Sequence, residues 1–192
     1  DTRLTGWDGC SGYHYSDSRI YGFSHTHLSG TGIPDYTDVL LMPGVGDVRF
    51  NNGADGQAGY SSAFSHADET AQPGYYAVTL RDPGIRAELT TTLRVGMHRY
   101  SLPASRPGHV VLDLQHRDRL LQSSIEVAGD REVVGLRRSS SWARDQWVYF
   151  VIRFSRPFQR AIADEKAPTA KRAFVFDGAS ELLVKVSISA VS

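Results

Sequence analysis

Residues 25 to 27 read His25-Thr26-His27, and two imidazoles two positions apart share a face when the backbone is extended. In that geometry they could hold one metal ion, with Asp35 or Asp38 as a third ligand, in the manner of a cupin-like metal enzyme. The plainer reading is two histidines hydrogen-bonded to backbone in a crowded loop. Cys10, with His14 nearby, gives no thiolate setting and reads as a small packing residue. Ser24, Ser29 and Thr31 are hydroxyls close to histidines, but no Gly-x-Ser-x-Gly elbow places one as a nucleophile. Asp8, Asp17, Asp35 and Asp38 could supply the two carboxylates of sugar hydrolysis only if a pair met across the scissile bond. Gly44-Val-Gly46 follows an apolar run, yet it lacks the third glycine and the helix of a dinucleotide fingerprint. Trp7 lies in Gly6-Trp-Asp-Gly9, where flanking glycines can bare an indole face to a sugar ring and Asp8 can take its hydroxyls. Trp142 and Trp147 sit at the entry to a strong strand and read as packing in the core or between sheets.

The elements that position these residues follow period two. In Arg86 to Val95, Ala87, Leu89, Thr91, Leu93 and Val95 share one face of an expected strand. Trp147 to Phe154 alternates as well: Val148, Phe150, Ile152 and Phe154 form one face. Trp147, Tyr149 and Val151 form the other, so both sides are expected to be covered. Further strands are expected at Tyr75–Leu80, His109–Leu114, Ala173–Phe176 and Leu182–Ile188. Turn residues separate them at Gln72-Pro-Gly74, Arg81-Asp-Pro-Gly84, Arg106-Pro-Gly108 and Asp177-Gly178. Short helical turns are expected near 117–121 and 161–166, and a mobile loop over 161–172. Many strands without intervening helices predict an all-β fold of antiparallel sheets packed face to face. Residues 1–52 differ: rich in glycine and aromatics, they read as an ordered, irregular contact surface.

Composition narrows the function. The 192 residues carry 21 Lys and Arg against 21 Asp and Glu, a formal net charge of zero. That balance argues against a nucleic-acid binder and against a polybasic membrane anchor. No apolar run is long enough to span a bilayer, so no membrane insertion is expected. With one cysteine in the chain, neither an internal disulfide nor a multi-cysteine zinc site can form. The final strand-like run stops abruptly, as if cut from a longer polypeptide.

Three strings together carry a family signature: Ser11-Gly-Tyr-His-Tyr15, Ile20-Tyr-Gly-Phe-Ser-His-Thr-His-Leu-Ser-Gly-Thr-Gly32 and Asp38-Val-Leu-Leu-Met-Pro43. Phe64-Ser-His66, Pro73-Gly-Tyr-Tyr76, His98-Arg-Tyr100 and Arg137-Arg-Ser139 follow in the same order. This pattern resembles the N-terminal domain of glycoside hydrolase family 92 over nearly all of the chain. The resemblance implies a β-supersandwich like that of galactose mutarotase, spanning 1–192. It implies part of a calcium-dependent, inverting exo-α-mannosidase acting on terminal α-mannosides, as in N-glycans and with α-1,2 linkages suggested by Trp7. The partner it implies is a C-terminal (α/α)6 barrel that carries the acid, the base and the calcium, so neither catalytic residue nor metal ligand is assigned here. Substrate contacts carried over by the motif are Trp7, Asp8, Gly9, Cys10, Phe23 and His27. Domain-interface positions are Phe23, His25, Leu28 and Ser29, with Trp7, Phe23 and Leu28 expected to centre an exposed apolar patch. The implied location is periplasmic or secreted, from a bacterium, and the isolated domain is expected to be inactive. The alternatives are an autonomous carbohydrate-binding module using Trp7 and Tyr13, and the cupin-like metal enzyme above.

Overall fold

Alternation in the sequence becomes strand in the computed structural model, which describes residues 1–4, 12–28 and 36–192. The strands are β1 (Arg19–Ile20), β2 (Leu40–Val45), β3 (Ser62–Ala63), β4 (Thr70–Gln72), β5 (Tyr75–Leu80), β6 (Ile85–Thr91) and β7 (Val95–Ser101). They continue with β8 (Gly108–Asp113), β9 (Arg119–Val127), β10 (Glu132–Ser140), β11 (Gln146–Phe154), β12 (Arg160–Ala163), β13 (Lys171–Phe176) and β14 (Glu181–Ser189). The helical content among the described residues is one 3-10 turn, His66–Asp68. The chain is therefore the antiparallel β-sandwich that its periodicity predicts. Eight strands form one sheet in the order β4-β5-β6-β7-β14-β11-β10-β9, and four form another in the order β12-β13-β8-β2. A small ladder of β1 and β3 sits beside them.

The last strand is central to the large sheet. β14 pairs with β7 on one side and β11 on the other, both antiparallel. Its Leu182, Val184 and Val186 are fully buried, so the last strand in sequence closes the core. β11 turns Val148, Phe150, Ile152 and Phe154 inward, as its alternation demands. Phe154 meets Phe174 and Phe176 at ring-centroid distances of 5.4 and 5.0 Å, which ties the large sheet to β13 of the small one. β8 is buried along its whole length, because the large sheet covers one face and the segment after β2 folds over the other.

Several expectations need correction. The strand predicted over 86–95 is a hairpin: β6 ends at Thr91, and Leu93 sits at the tip, 93% exposed. The outer face of β11 is open: Val151 is 38% exposed, and Trp147 and Tyr149 are half-buried and stacked on each other. Trp142 is 64% exposed in the turn before β11, and Arg138 covers the Trp147 ring at 4.8 Å, so neither tryptophan packs between sheets. Residues 117–121 and 161–166 form no helical turn. They lead into β9 and run out of β12, whose backbone groups find ladder partners instead. The stretch 161–172 is a strand, a tight turn and the start of β13, held by Lys171 N–H to the Ala167 carbonyl at 2.9 Å.

Gly135 marks the tightest crossing in the large sheet. A Cβ there would lie 2.1 Å from the Ser124 carbonyl oxygen and 2.6 Å from the Phe150 ring. Gly135→Ala is expected to destabilise the fold by about 1–3 kcal/mol through overpacking. Gly129→Ala, where a Cβ meets nothing within 4 Å, is expected to change little. Urea unfolding of the two variants measures the contrast.

Candidate functional site

The His25-Thr26-His27 segment is placed by a clamp against residues 36–41. Phe23 bridges Leu41 and His27 bridges Tyr36, both antiparallel. Between these bridges the Thr26 hydroxyl donates to the Asp38 carboxylate at 2.7 Å, and the Asp38 N–H donates back to that hydroxyl at 2.9 Å. Asp38 also accepts from Gln146 Nε2 at 2.6 Å and from Arg137. Arg137 is buried; its remaining N–H groups reach the Leu114 carbonyl at 2.7 Å and Asp118. Burial pushes the Asp38 carboxyl above its usual range despite Arg137 and Thr26. Backbone strain collects at the same place. Tyr36, Thr37 and Val39 have φ of 69°, 60° and 54°, a left-handed region that costs non-glycine residues about 1–3 kcal/mol each.

The two histidines have different partners. The Val39 carbonyl can only accept, so His25 Nδ1 donates to it, at 2.6 Å. A neutral His25 then accepts at Nε2 from His98 Nε2–H at 2.9 Å, and His98 Nδ1 accepts from the Tyr100 hydroxyl at 2.6 Å. Burial lowers the His25 pKa to about 4 and holds His98 well below its usual value, so both rings are neutral. His27 instead meets the Ser24 hydroxyl at 2.9 Å and the Asp1 carboxylate at 3.1 Å. Having separate partners, the two imidazoles do not form the joint metal pair that their spacing allowed. Asp17 accepts from Arg3 and Thr2 and Asp38 from the clamp, so neither is a spare carboxylate for bond cleavage.

Beside the clamp opens a cleft of about 620 Å³, lined by Tyr13, Tyr15, Phe23, Ser24, His27, His66, Glu69 and Tyr76. Glu69 organises its wall. The Tyr76 hydroxyl donates to Glu69 at 2.5 Å, the Tyr13 hydroxyl donates at 3.2 Å, and His66 Nδ1 also bonds it. Desolvation and the Glu69 charge raise the Tyr13 pKa to about 12, and burial with the Glu69 bond raises that of Tyr76 too. The Glu69 hydrogen bond raises the His66 pKa. Tyr15 stacks on His66 at 4.1 Å while remaining 72% exposed, which leaves ring surface free for a ligand. Three donors on one carboxylate make Glu69 an organiser of the wall.

Of the sequence-derived site, Trp7, Asp8, Gly9, Cys10 and Ser29 lie outside the described residues. Phe23 is 6% exposed, with its ring beside those of His98 and Tyr100, so it does not centre an exposed apolar patch. Leu28 is half-buried. Sequence reasoning missed Glu69. The signal available was His66 three residues before it, the spacing of one helical turn that faces the two side chains together.

This fold is that of an antiparallel β-sandwich domain. The family model described as the glycosyl hydrolase family 92 N-terminal domain matches residues 1–189. The chain belongs to that family. It superposes with a TM-score of 0.87 and 33% identity on the family GH92 α-mannosidase of Bacteroides thetaiotaomicron solved with mannoimidazole, covering 100% of this chain and 28% of that one. An inverting mannosidase of the same family and organism matches with a TM-score of 0.77 and 26% identity, over 94% of this chain and 25% of its own. An uncharacterized secreted glycosidase of Arthroderma benhamiae is 30% identical over 102 residues, 52% of this chain and 13% of that protein. The chain thus spans a little over a quarter, or less, of these relatives.

Two outcomes are expected. Asp38→Ala leaves the buried Arg137 without its main partner and should cost about 3–5 kcal/mol, read from urea unfolding. The histidine relay gives a pH dependence. Unfolded, His25 and His98 take up a proton near pH 6.5; folded, His25 does so only near 4. Their contribution is therefore complete above about 6.5 and is lost as pH falls towards 4, by up to about 1.4 kcal/mol per pH unit per histidine. Imidazole nitrogen NMR at about pH 5.5 should show neutral rings, with His25 protonated at Nδ1 and His98 at Nε2. Charged rings there would contradict the relay.

Proposed function

We propose that this chain is the non-catalytic N-terminal domain of an exo-α-mannosidase that removes terminal α-mannosides with inversion. It packs against a C-terminal (α/α)6 barrel and completes the mannose pocket. The reading assigns protonation of the leaving oxygen and activation of water to two carboxylates of that barrel. This domain orients the sugar. The observation that carries the proposal is the tyrosine cleft: exposed Tyr15 and Tyr13 beside His27, next to Gly12, which follows the Trp7 segment. Preference for α-1,2 linkages rests on the resemblance at Trp7. Calcium requires six to eight oxygen ligands. Asp17, Asp38 and Glu69 are already engaged by cationic or hydroxyl donors, so they do not fit such a site. The proposal keeps calcium in the barrel, where the family resemblance puts it. Export from the cell is part of the proposal, supported by the secreted relative.

Kinetics of the longer protein on α-mannobiose test the cleft. Tyr15→Ala is expected to lower kcat/KM by about tenfold or more, mainly through KM, while the 192-residue chain alone turns over no substrate. Turnover by the isolated chain would overturn the division of labour. Submillimolar mannobiose binding by the isolated chain would favour the autonomous carbohydrate-binding module.

A further inference from the structure

A second pocket, sharing no lining residue with the tyrosine cleft, lies where the segment after β2 folds over the small sheet. Tyr60 fixes that fold through its hydroxyl to Asp113 at 2.8 Å, and Lys171 fixes it through the Phe50 carbonyl at 3.1 Å. The pocket holds about 210 Å³, and Gly44, Arg49, Arg106 and His109 are among its walls. The Gly44-Val-Gly46 string, which fits no nucleotide fingerprint, has its use here. Gly44 pairs with His109 across β2 and β8, and a Cβ at Gly44 would lie 2.5 Å from His109 Nε2. At Gly46, with φ +77°, a Cβ would lie 3.3 Å from Arg106 Nη1. Two glycines two positions apart therefore leave room for an imidazole and a guanidinium to lie against bare backbone.

His109 is 4% exposed, and its Nδ1 is buried without a partner. A buried polar atom left unpaired costs about 1–3 kcal/mol. Such atoms persist in native folds where water or a ligand satisfies them. Burial lowers the His109 pKa to about 4, so the neutral ring offers one donor and one lone pair. Among the described residues, Arg49 and Arg106 have no carboxylate partner, unlike Arg19, Arg81, Arg99, Arg138 and Arg153. Asp82, also in the wall, is engaged by Arg19 and by the Ala63 N–H at 3.0 Å. Asp47 completes a wall of two arginines and two aspartates, with Asp82 already paired to Arg19 from outside it. Tyr60 is 9% exposed with its hydroxyl committed, so it gives a sugar ring no face to stack on. Guanidinium forks match tetrahedral oxyanions, and the volume falls below the range of drug-sized sites.

We propose that Arg49, Arg106 and His109 form a binding site for a tetrahedral oxyanion, a phosphate or sulfate group, as the free ion or as the ester end of a larger ligand. The test is titration of the 192-residue chain with sodium phosphate and sodium sulfate at constant ionic strength, followed by NMR of the histidine and arginine side chains. Saturable shifts at His109 and Arg106 are expected. Arg106→Gln and Arg49→Gln should each weaken binding by about tenfold or more while leaving the melting temperature unchanged. Tighter binding of phenyl phosphate than of inorganic phosphate would identify an ester as the natural ligand; equal binding would identify the free ion. Equal shifts with sodium chloride, an absence of saturation, or unchanged phosphate binding in both variants would overturn the site.

Discussion

A charged guanidinium enclosed between the sheets governs the architecture around the tyrosine cleft. Arg137 projects from the inner face of β10, where alternation would otherwise place an aliphatic side chain. The fold answers its charge with Asp38, Asp118 and the Leu114 carbonyl. Burying such a pair costs several kcal/mol per ion in desolvation, which Coulomb attraction only partly returns. The raised pKa of Asp38 expresses that balance. The gain lies in direction. Asp38 is held from one side by the large sheet and from the other by Thr26, so two segments distant in sequence are locked in one register.

That lock explains how left-handed backbone at Tyr36, Thr37 and Val39 persists. Each strained residue is fastened. Tyr36 bridges His27, the Thr37 N–H donates to the Thr26 carbonyl at 2.7 Å, and the Val39 carbonyl accepts from His25. The strain turns the Val39 carbonyl towards His25, and this begins the relay through His98 to Tyr100. The relay runs in one direction only if both rings are neutral, and burial holds them so. Positional precision around Asp38 thus comes from polar groups that the surrounding strands over-determine.

The two pockets place different demands on the same scaffold. The cleft near Tyr15 presents aromatic surface and hydroxyls around a satisfied carboxylate, suited to a neutral, polyhydroxylated ligand. Around His109, guanidiniums without a carboxylate partner among the described residues sit beside bare backbone, the basis of the proposed anion site. Both are made by irregular segments laid across regular sheets. The sandwich supplies rigidity, and the segments before and after β2 supply chemistry.

Much of this was legible in the residues alone. Alternating β-branched and aromatic runs report which face of a strand is buried, so β5, β8, β11, β13 and β14 could be read directly. The motif strings around Phe23 and His27 report the family. Short-range pattern carries no information about partners far along the chain. It could not show that Leu93 turns a hairpin, that Trp142 meets solvent, or that His25 and His27 part company. Nor could it show that Glu69 gathers Tyr13 and Tyr76, or that Gly44 makes room for His109, because those meetings depend on sheet register and on the order in which strands pair. Local periodicity determined the class of fold. Only the assembled sheets decided which polar groups face one another, since burial and hydrogen-bond partnership are set by long-range packing.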